Sequence, residues 1–174
     1  MCFGFYLRTL FMNKDIYPFR NVIDDFVYLF VSEGIHGTID KGVLIDPIPD
    51  NLSYWFKSTY NLGFGDVVIS ENGWGLNDNV RSGNGDMPKV IATVARIAID
   101  FLTSHPSSVL SFQGYIDSKS AEQGKNHRNI LYQRAINSNW NELSIKFSFW
   151  GVKEGQIEEY VVSQQYDQIL VKLK

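Results

Sequence analysis

The side chains best suited to chemistry are a group of cations between positions 119 and 134. Lys119, Lys125, Arg128 and Arg134 stand there with one acid, Glu122, so this stretch holds four of the 16 lysines and arginines but one of the 19 aspartates and glutamates. Cations concentrated in this way attract phosphate, a cofactor pyrophosphate, a nucleic acid backbone or an acidic protein surface. The alternative is a solvated helix face whose cations form weak surface ion pairs.

The start of the helix that follows strengthens the first interpretation. Lys125 and Asn126 follow Gly124 directly, and free backbone amides at a helix start favour an anion. We therefore predict that Lys119, Lys125, Asn126, Arg128 and Arg134 bind an anion or a partner. The partner is expected to be a protein or another anionic ligand. Residues 118–123 contain no aromatic side chain for base stacking, which disfavours nucleic acid.

Tyr132 is the one candidate catalytic residue. It follows Arg128 by one helical turn, so the two side chains share a helix face. A phenol in a cleft can donate a proton, but a tyrosine in such a place also serves as a core aromatic with its hydroxyl at the rim. No Ser/His/Asp or Cys/His set can be assembled, and the three histidines have no metal-ligand spacing. We predict no metal site and no resident cofactor.

The elements that must position these residues centre on a helix after Asn84. Asp86 is a predicted N-cap and Pro88 falls in the first turn, where a missing N–H costs little. Two apolar ridges predict a helix lying on a sheet. The first ridge is Val90, Val94, Ile97 and Phe101, the second is Ile91, Ala95, Ala98 and Leu102, and the predicted solvent side is Lys89, Thr93, Arg96 and Asp100.

Strands are predicted on both sides of this helix. Two glycines within 60–66 indicate a bulge or a close backbone approach, of which the bulge is the commoner. The glycine-, asparagine- and aspartate-rich stretch 72–85 predicts a mobile surface loop. The fold class that follows is α+β, with a mostly antiparallel sheet, two main helices packed on it and a strand–helix–strand–helix–hairpin C-terminal half. Predicted strands are 26–31, 42–45, 52–60, 67–70, 109–115, 147–152, 156–161 and 169–173.

Length and composition predict one domain over residues 12–174. Residues 1–11 are apolar and far too short to span a bilayer, and they have two interpretations, an upstream extension of the reading frame or an edge strand. We expect no membrane partner. The single cysteine, Cys2, cannot form an internal disulfide and fits a reducing cytosol, so a cytoplasmic location is expected.

Several segments resemble an uncharacterised family of small bacterial domains that is frequent in Bacteroidetes. They are YNLGFGD at 60–66, NGDMPKVIATVA at 84–95, RNILYQR at 128–134 and the end of the chain from 166 to 174. The resemblance implies no known activity. The chain departs from this family in two ways. Its loop before the second helix is longer, and of the two arginines that the family has near the Leu-Tyr pair, Arg128 matches one while Ile130 replaces the other.

A weaker resemblance is to the N-acetyltransferase superfamily that uses acetyl-coenzyme A. Its C-terminal half has a similar order of elements, and Asn126 with Leu131-Tyr132 is similar to its last helix. The resemblance implies a V-shaped opening beside the strand at Val109, Tyr132 as general acid, and Lys125 and Asn126 near the cofactor. The glycine-rich pyrophosphate loop is absent, because the shorter segment 83–86 has an acid there.

Two functional hypotheses follow. The first is an accessory domain that binds a protein or another anionic partner through the cations of the second helix. The alternative is an acetyl-CoA-dependent N-acyltransferase-like enzyme with Tyr132 as its acid.

Overall fold

A computed structural model describes residues 15–49, 56–77, 83–113 and 127–174, with side chains from Asn129 onward in the last range. The fold is α+β, as predicted, with one nine-stranded sheet and three helices in these ranges. The elements are β1 (Phe19–Ile23), β2 (Val27–Gly34), β3 (Gly37–Pro47), β4 (Thr59–Ser70), β5 (Gly73–Asn77), α1 (Met87–Ser104), β6 (Val109–Phe112), α2 (His127–Ser138), α3 (Trp140–Lys146), β7 (Phe147–Lys153), β8 (Gln156–Glu159) and β9 (Gln168–Leu173).

The sheet consists of two antiparallel blocks joined by one parallel pair. Its strand order is β1-β2-β3-β4-β6-β9-β7-β8, with β5 paired to β4. Strands β4 and β6 are the parallel pair, and their register runs over three residues, from Thr59 opposite Val109 to Asn61 opposite Ser111. The long connection from β4 through α1 to β6 allows this parallel pairing, because parallel neighbours need a crossover.

Helix α1 buries the apolar face that its spacing predicts. Phe101 and Ile97 are fully buried, and the Phe101 ring meets the ring of Tyr60 on β4 with 5.4 Å between centroids. Burying one such side chain contributes about 1.5–3 kcal/mol. The placement of Thr93 on the solvent side is wrong. Thr93 is fully buried, and its Oγ1 accepts a hydrogen bond of 2.9 Å from the backbone N–H of Tyr17.

Strand β4 differs from its prediction at its start and in its interior, and it ends at Ser70 as predicted. It begins at Thr59 rather than before residue 56, because Ser58 has a φ of 56°, which interrupts extended backbone. The predicted bulge at 60–66 is wrong, since β4 pairs with β3 in unbroken register from Tyr60 to Asp66. The predicted loop 72–85 contains β5, which forms a hairpin with β4.

One glycine of the central strands, Gly42 on β3, lies in a close packing contact. Gly65 pairs with Gly42 on β3, and a Cβ at Gly42 would lie 2.5 Å from the Leu76 side chain of β5. A Cβ at this position would displace the end of the Leu76 side chain. The glycine therefore makes room for Leu76 against the sheet face.

Two further elements were not predicted. Strand β1 has only a half-buried Phe19 among exposed residues, so it lacks an apolar signal. Helix α3 is a seven-residue segment with Leu143 as its buried residue. The adjacent acids Asp24 and Asp25 both lie in the β1–β2 turn with positive φ. No helix within the described ranges is both long and apolar enough to cross a membrane.

Candidate functional site

A cavity of about 790 Å³ lies between α1 and α2. On α1 its wall contains Ala92, Ala95 and Ala98, which follow at intervals of three and so occupy one side of the helix. Because alanine has a small side chain, the two helices leave a space between them. Across the space the other lining residues include Ala135 on α2, Leu143 on α3, and Phe112, Phe147, Phe149 and Val171 on the sheet.

Tyr132 lines this cavity from α2. Its side chain is buried, and its ring lies against two strands, with 5.9 Å to the ring of Phe64 on β4 and 6.2 Å to the ring of Phe112 on β6. These strands are the parallel pair, whose ladder ends at Asn61 and Ser111 although β4 continues to Ser70. Tyr132 therefore lies over the place where β4 and β6 part.

The pairing of β4 changes at the same place. Asp66 pairs with Lys41 of β3 on one side and with Asn77 of β5 on the other. Strands β5 and β6 therefore lie along the same edge of β4, opposite β3. Residues 62–65 stand between these two partners. Among the strands of the described ranges, they pair only with β3.

Two cations line the cavity, and they differ in what neutralises them. Lys89 on α1 forms an ion pair of 2.9 Å with Asp15 and lies 4.4 Å from the centre of the Tyr17 ring. Arg134 on α2 is exposed, and no carboxylate of the described residues pairs with it. The rim of an apolar cavity therefore carries one guanidinium whose charge is not balanced by a described acid.

The start of α1 is a closed polar cluster. The Asp86 carboxylate accepts hydrogen bonds from Ser32 Oγ at 2.6 Å and from the Tyr17 hydroxyl at 2.7 Å, so it does not cap the helix amides as predicted. Asn84 donates from Nδ2 to Ser32 Oγ and to the Gly37 carbonyl, each at 3.1 Å. These bonds tie the segment before α1 to the β2–β3 hairpin.

This cluster keeps Asp86 ionised. Partial burial raises the pKa of the Asp86 carboxyl, but the hydrogen bonds from Ser32 and Tyr17 and the charge of Lys41 outweigh it, so the pKa lies below its ordinary value. Lys41 itself is buried and forms an ion pair with Asp66 on the neighbouring strand. The start of α1 therefore carries a fixed negative charge.

The predicted anion-binding set lies largely outside the described residues and stays a prediction. Lys119, Lys125 and Asn126 lie outside the described residues, as does the side chain of Arg128, whose backbone is in the first turn of α2. Arg134 is seven residues past the start of α2, about 10 Å along the helix, and not at its entry. Its place at the rim of the cavity connects it with Tyr132, which is a different grouping from the one predicted.

Two buried amides that anchor α2 were missed. Asn129 donates from Nδ2 to the carbonyls of Tyr166 and Asp167, and Gln133 donates from Nε2 to the Gln164 carbonyl at 2.8 Å. They are four residues apart, and so they share the side of the helix that faces the segment before β9. That spacing is visible in the sequence and is the signal that would have identified them.

The match to known proteins is at the level of the family. Residues 13–174 match the model of a family described as a family of unknown function, DUF6934. The chain belongs to the DUF6934 family. The expected membership of an uncharacterised family is thereby confirmed, and the family's description names no activity. No curated protein and no solved structure matches the chain.

Proposed function

We propose that this domain binds a small molecule with an apolar body and an anionic group in the cavity between α1 and α2. The observation that carries the proposal is an apolar cavity of about 790 Å³ with Arg134 at its rim. Ligand cavities typically measure about 300–1,000 Å³ and have mostly apolar walls with a few polar groups that orient the ligand.

The two parts of the ligand contribute differently. Each methylene that enters the cavity leaves water and contributes about 0.8 kcal/mol. The exposed guanidinium of Arg134 contributes less, about 1 kcal/mol or below, because water screens an exposed pair. Affinity therefore comes from the apolar walls, and Arg134 selects for charge and orientation.

Two fluorescent probes of similar shape test this proposal. Anilinonaphthalene sulfonate is an anion, and N-phenyl-1-naphthylamine is its neutral counterpart. We expect saturable binding of both, and about tenfold weaker binding of both to Ala98→Leu, which places a larger side chain in the cavity. Val68→Leu, at an exposed position on β4 outside the lining, is the matched control. Unchanged probe binding by folded Ala98→Leu would overturn the proposal.

A smaller substitution replaces Ala98→Leu if that variant does not fold. A charge reversal at Arg134 tests the cation at the rim. If Ala98→Leu loses the cooperative thermal transition, Ala95→Val fills less of the same wall and is measured instead. Arg134→Glu is expected to weaken binding of the sulfonate and to leave binding of the neutral naphthylamine unchanged. Equal effects on both probes would remove Arg134 from the site.

An acidic protein partner is the related hypothesis from the sequence, with Lys119, Lys125, Asn126, Arg128 and Arg134 as its contacts. The exposure of Arg134 supports it. It differs from the cavity proposal in one measurable way. If a partner captured from the native host is lost with Arg134→Glu while neither probe binds the wild type, the protein partner is supported and the cavity ligand is rejected.

Acyl transfer from acetyl-coenzyme A is a second candidate, and one observation favours it. The parallel pair β4–β6 parts beneath Tyr132, at the place where the resemblance to N-acetyltransferases implies an opening with Tyr132 as acid. The rings of Phe64 and Phe112 occupy part of that place. Calorimetry with millimolar acetyl-coenzyme A tests the candidate, and the absence of heat of binding would reject it.

A further inference from the structure

The cavity offers two places for the anionic group of a ligand, one at each helix. Met87, Pro88 and Lys89 line it at the start of α1, and Arg134 lines it on α2. A helix start ordinarily attracts anions through its free amides and its dipole. Which of the two places is used decides the chemical class of the ligand.

The start of α1 has little to offer an anion. Pro88 has no N–H, and the N–H groups of Lys89 and Val90 already donate to the Asp86 carbonyl at 2.9 and 3.1 Å. The Asp86 carboxylate lies beside them, held by Ser32 and Tyr17. A phosphate at this helix start would find the Lys89 and Val90 amides already bonded and would be repelled by a neighbouring negative charge.

Lys89 does not make the start of α1 attractive to an anion. Its ammonium group is paired with the carboxylate of Asp15 and lies over the Tyr17 ring, so its charge is already compensated. Among the described lining residues, Arg134 is the cation with no paired acid. Its planar guanidinium matches the two oxygens of a carboxylate. One unbalanced positive charge suits one negative charge on the ligand.

From these contacts we infer that the ligand is a monocarboxylate with an aliphatic chain, bound by its carboxylate to Arg134, and that nucleotide-bearing thioesters of the same chain are rejected by the start of α1. The inference rests on the proposed function and names the class of ligand for the same cavity. The chain extends among apolar lining side chains that include Leu143 on α3 and Phe147 and Phe149 on β7.

Laurate and lauroyl-coenzyme A provide the test, because they share one chain and differ in the anion. Each is titrated against wild-type protein carrying N-phenyl-1-naphthylamine, below its micellar concentration. We expect laurate to displace the probe at a concentration at least about tenfold lower than lauroyl-coenzyme A. Lauroyl-coenzyme A binding as tightly as laurate, or more tightly, would overturn the inference while leaving the cavity proposal intact.

Two variants distinguish binding of the anionic group at Arg134 from binding at the start of α1. Arg134→Gln is expected to weaken the binding of laurate about fivefold or more. Asp86→Asn is expected to strengthen the binding of lauroyl-coenzyme A and to leave the binding of laurate unchanged. If Asp86→Asn does not fold, the comparison of the two ligands on the wild type decides alone. Failure of the neutral probe itself to bind would reject the proposed function, and with it this inference.

Discussion

The ring of Tyr132 meets the ring of Phe64 edge-on, with 5.9 Å between their centroids, and this contact joins α2 to β4. The same ring reaches Phe112 on β6, so one side chain touches both strands beyond the end of their ladder. Edge-to-face ring pairs contribute about 0.5–1.5 kcal/mol beyond the burial of their area. Tyr132 is therefore part of the core as well as of the cavity wall.

Truncating Tyr132 is expected to destabilise the fold. Tyr132→Ala should lower the free energy of unfolding by about 3 kcal/mol, because it removes a buried ring and its two ring contacts. Tyr132→Phe keeps the ring and should cost much less. Urea denaturation followed by circular dichroism measures both, and equal losses for the two variants would show that the hydroxyl, not the ring, carries the stabilisation.

Replacing Asp86 is expected to change the pH dependence of stability. Its folded-state pKa lies below the ordinary 3.8, so the ionised carboxylate stabilises the fold above pH 3.8, and this contribution is lost as the pH falls below that value. Asp86→Asn should cost about 1–3 kcal/mol near neutral pH through weaker bonds to Ser32 and Tyr17. The difference from wild type should shrink below pH 4.

Urea titrations at pH 6 and pH 3 measure that difference. Asp46→Asn, at an exposed position on β3, removes the same charge and is the control. A difference between wild type and Asp86→Asn that grows toward pH 3 would contradict the assignment.

Gly34 and Gly63 are expected to respond oppositely to alanine. A Cβ at Gly34 would lie 1.9 Å from the backbone oxygen of Asn84, which itself accepts a bond of 3.0 Å from the Ile35 N–H. Gly34→Ala should therefore cost about 1–3 kcal/mol or more. Around Gly63 no atom lies within 4 Å of an added Cβ, so Gly63→Ala should stay within about 0.5 kcal/mol. Thermal unfolding of the two variants in parallel checks the contrast, which a similar loss at both positions would refute.

Removing one partner of the ion pair between Lys41 and Asp66 is expected to destabilise the fold strongly, whereas replacing both partners by apolar residues is expected to destabilise it little. Lys41→Met leaves Asp66 without this partner and should cost about 3–5 kcal/mol, whereas the double variant Lys41→Met/Asp66→Leu should recover most of the loss. A double-mutant cycle in urea measures the coupling. Additive losses would show that the two side chains act independently.

The sequence predicted the parts of the fold whose apolar pattern is local. Helix α1 has regular turns of apolar residues, and its start directly after Asp86 agrees with the prediction. The burial of Thr93 was not predictable in the same way, because it depends on Tyr17, which lies 76 positions away in the chain. Strand β1 is recognisable only through its pairing with β2.

The candidate site was less accessible to prediction for the same reason. Tyr132 was selected from its place on a helix, but its neighbours Phe64 and Phe112 come from strands that meet only in the folded sheet. The cavity is a space between two helices, and a sequence shows small residues such as Ala98 but not what faces them. Asp86 was interpreted as a cap from its position alone, whereas Ser32, 54 positions before it, draws its carboxylate away from the helix amides.

The three residue pairs between β4 and β6 have a further consequence for motion. They are the only strand pairs described between the block β1–β5 and the block β6–β9, since every other ladder lies within one block. If the two blocks open as units, the amide hydrogens of these three pairs exchange sooner than those of the longer ladders beside them. The pairs lie next to Tyr132, whose ring contacts a strand of each block, so a molecule bound in the cavity is expected to slow the exchange of these amides.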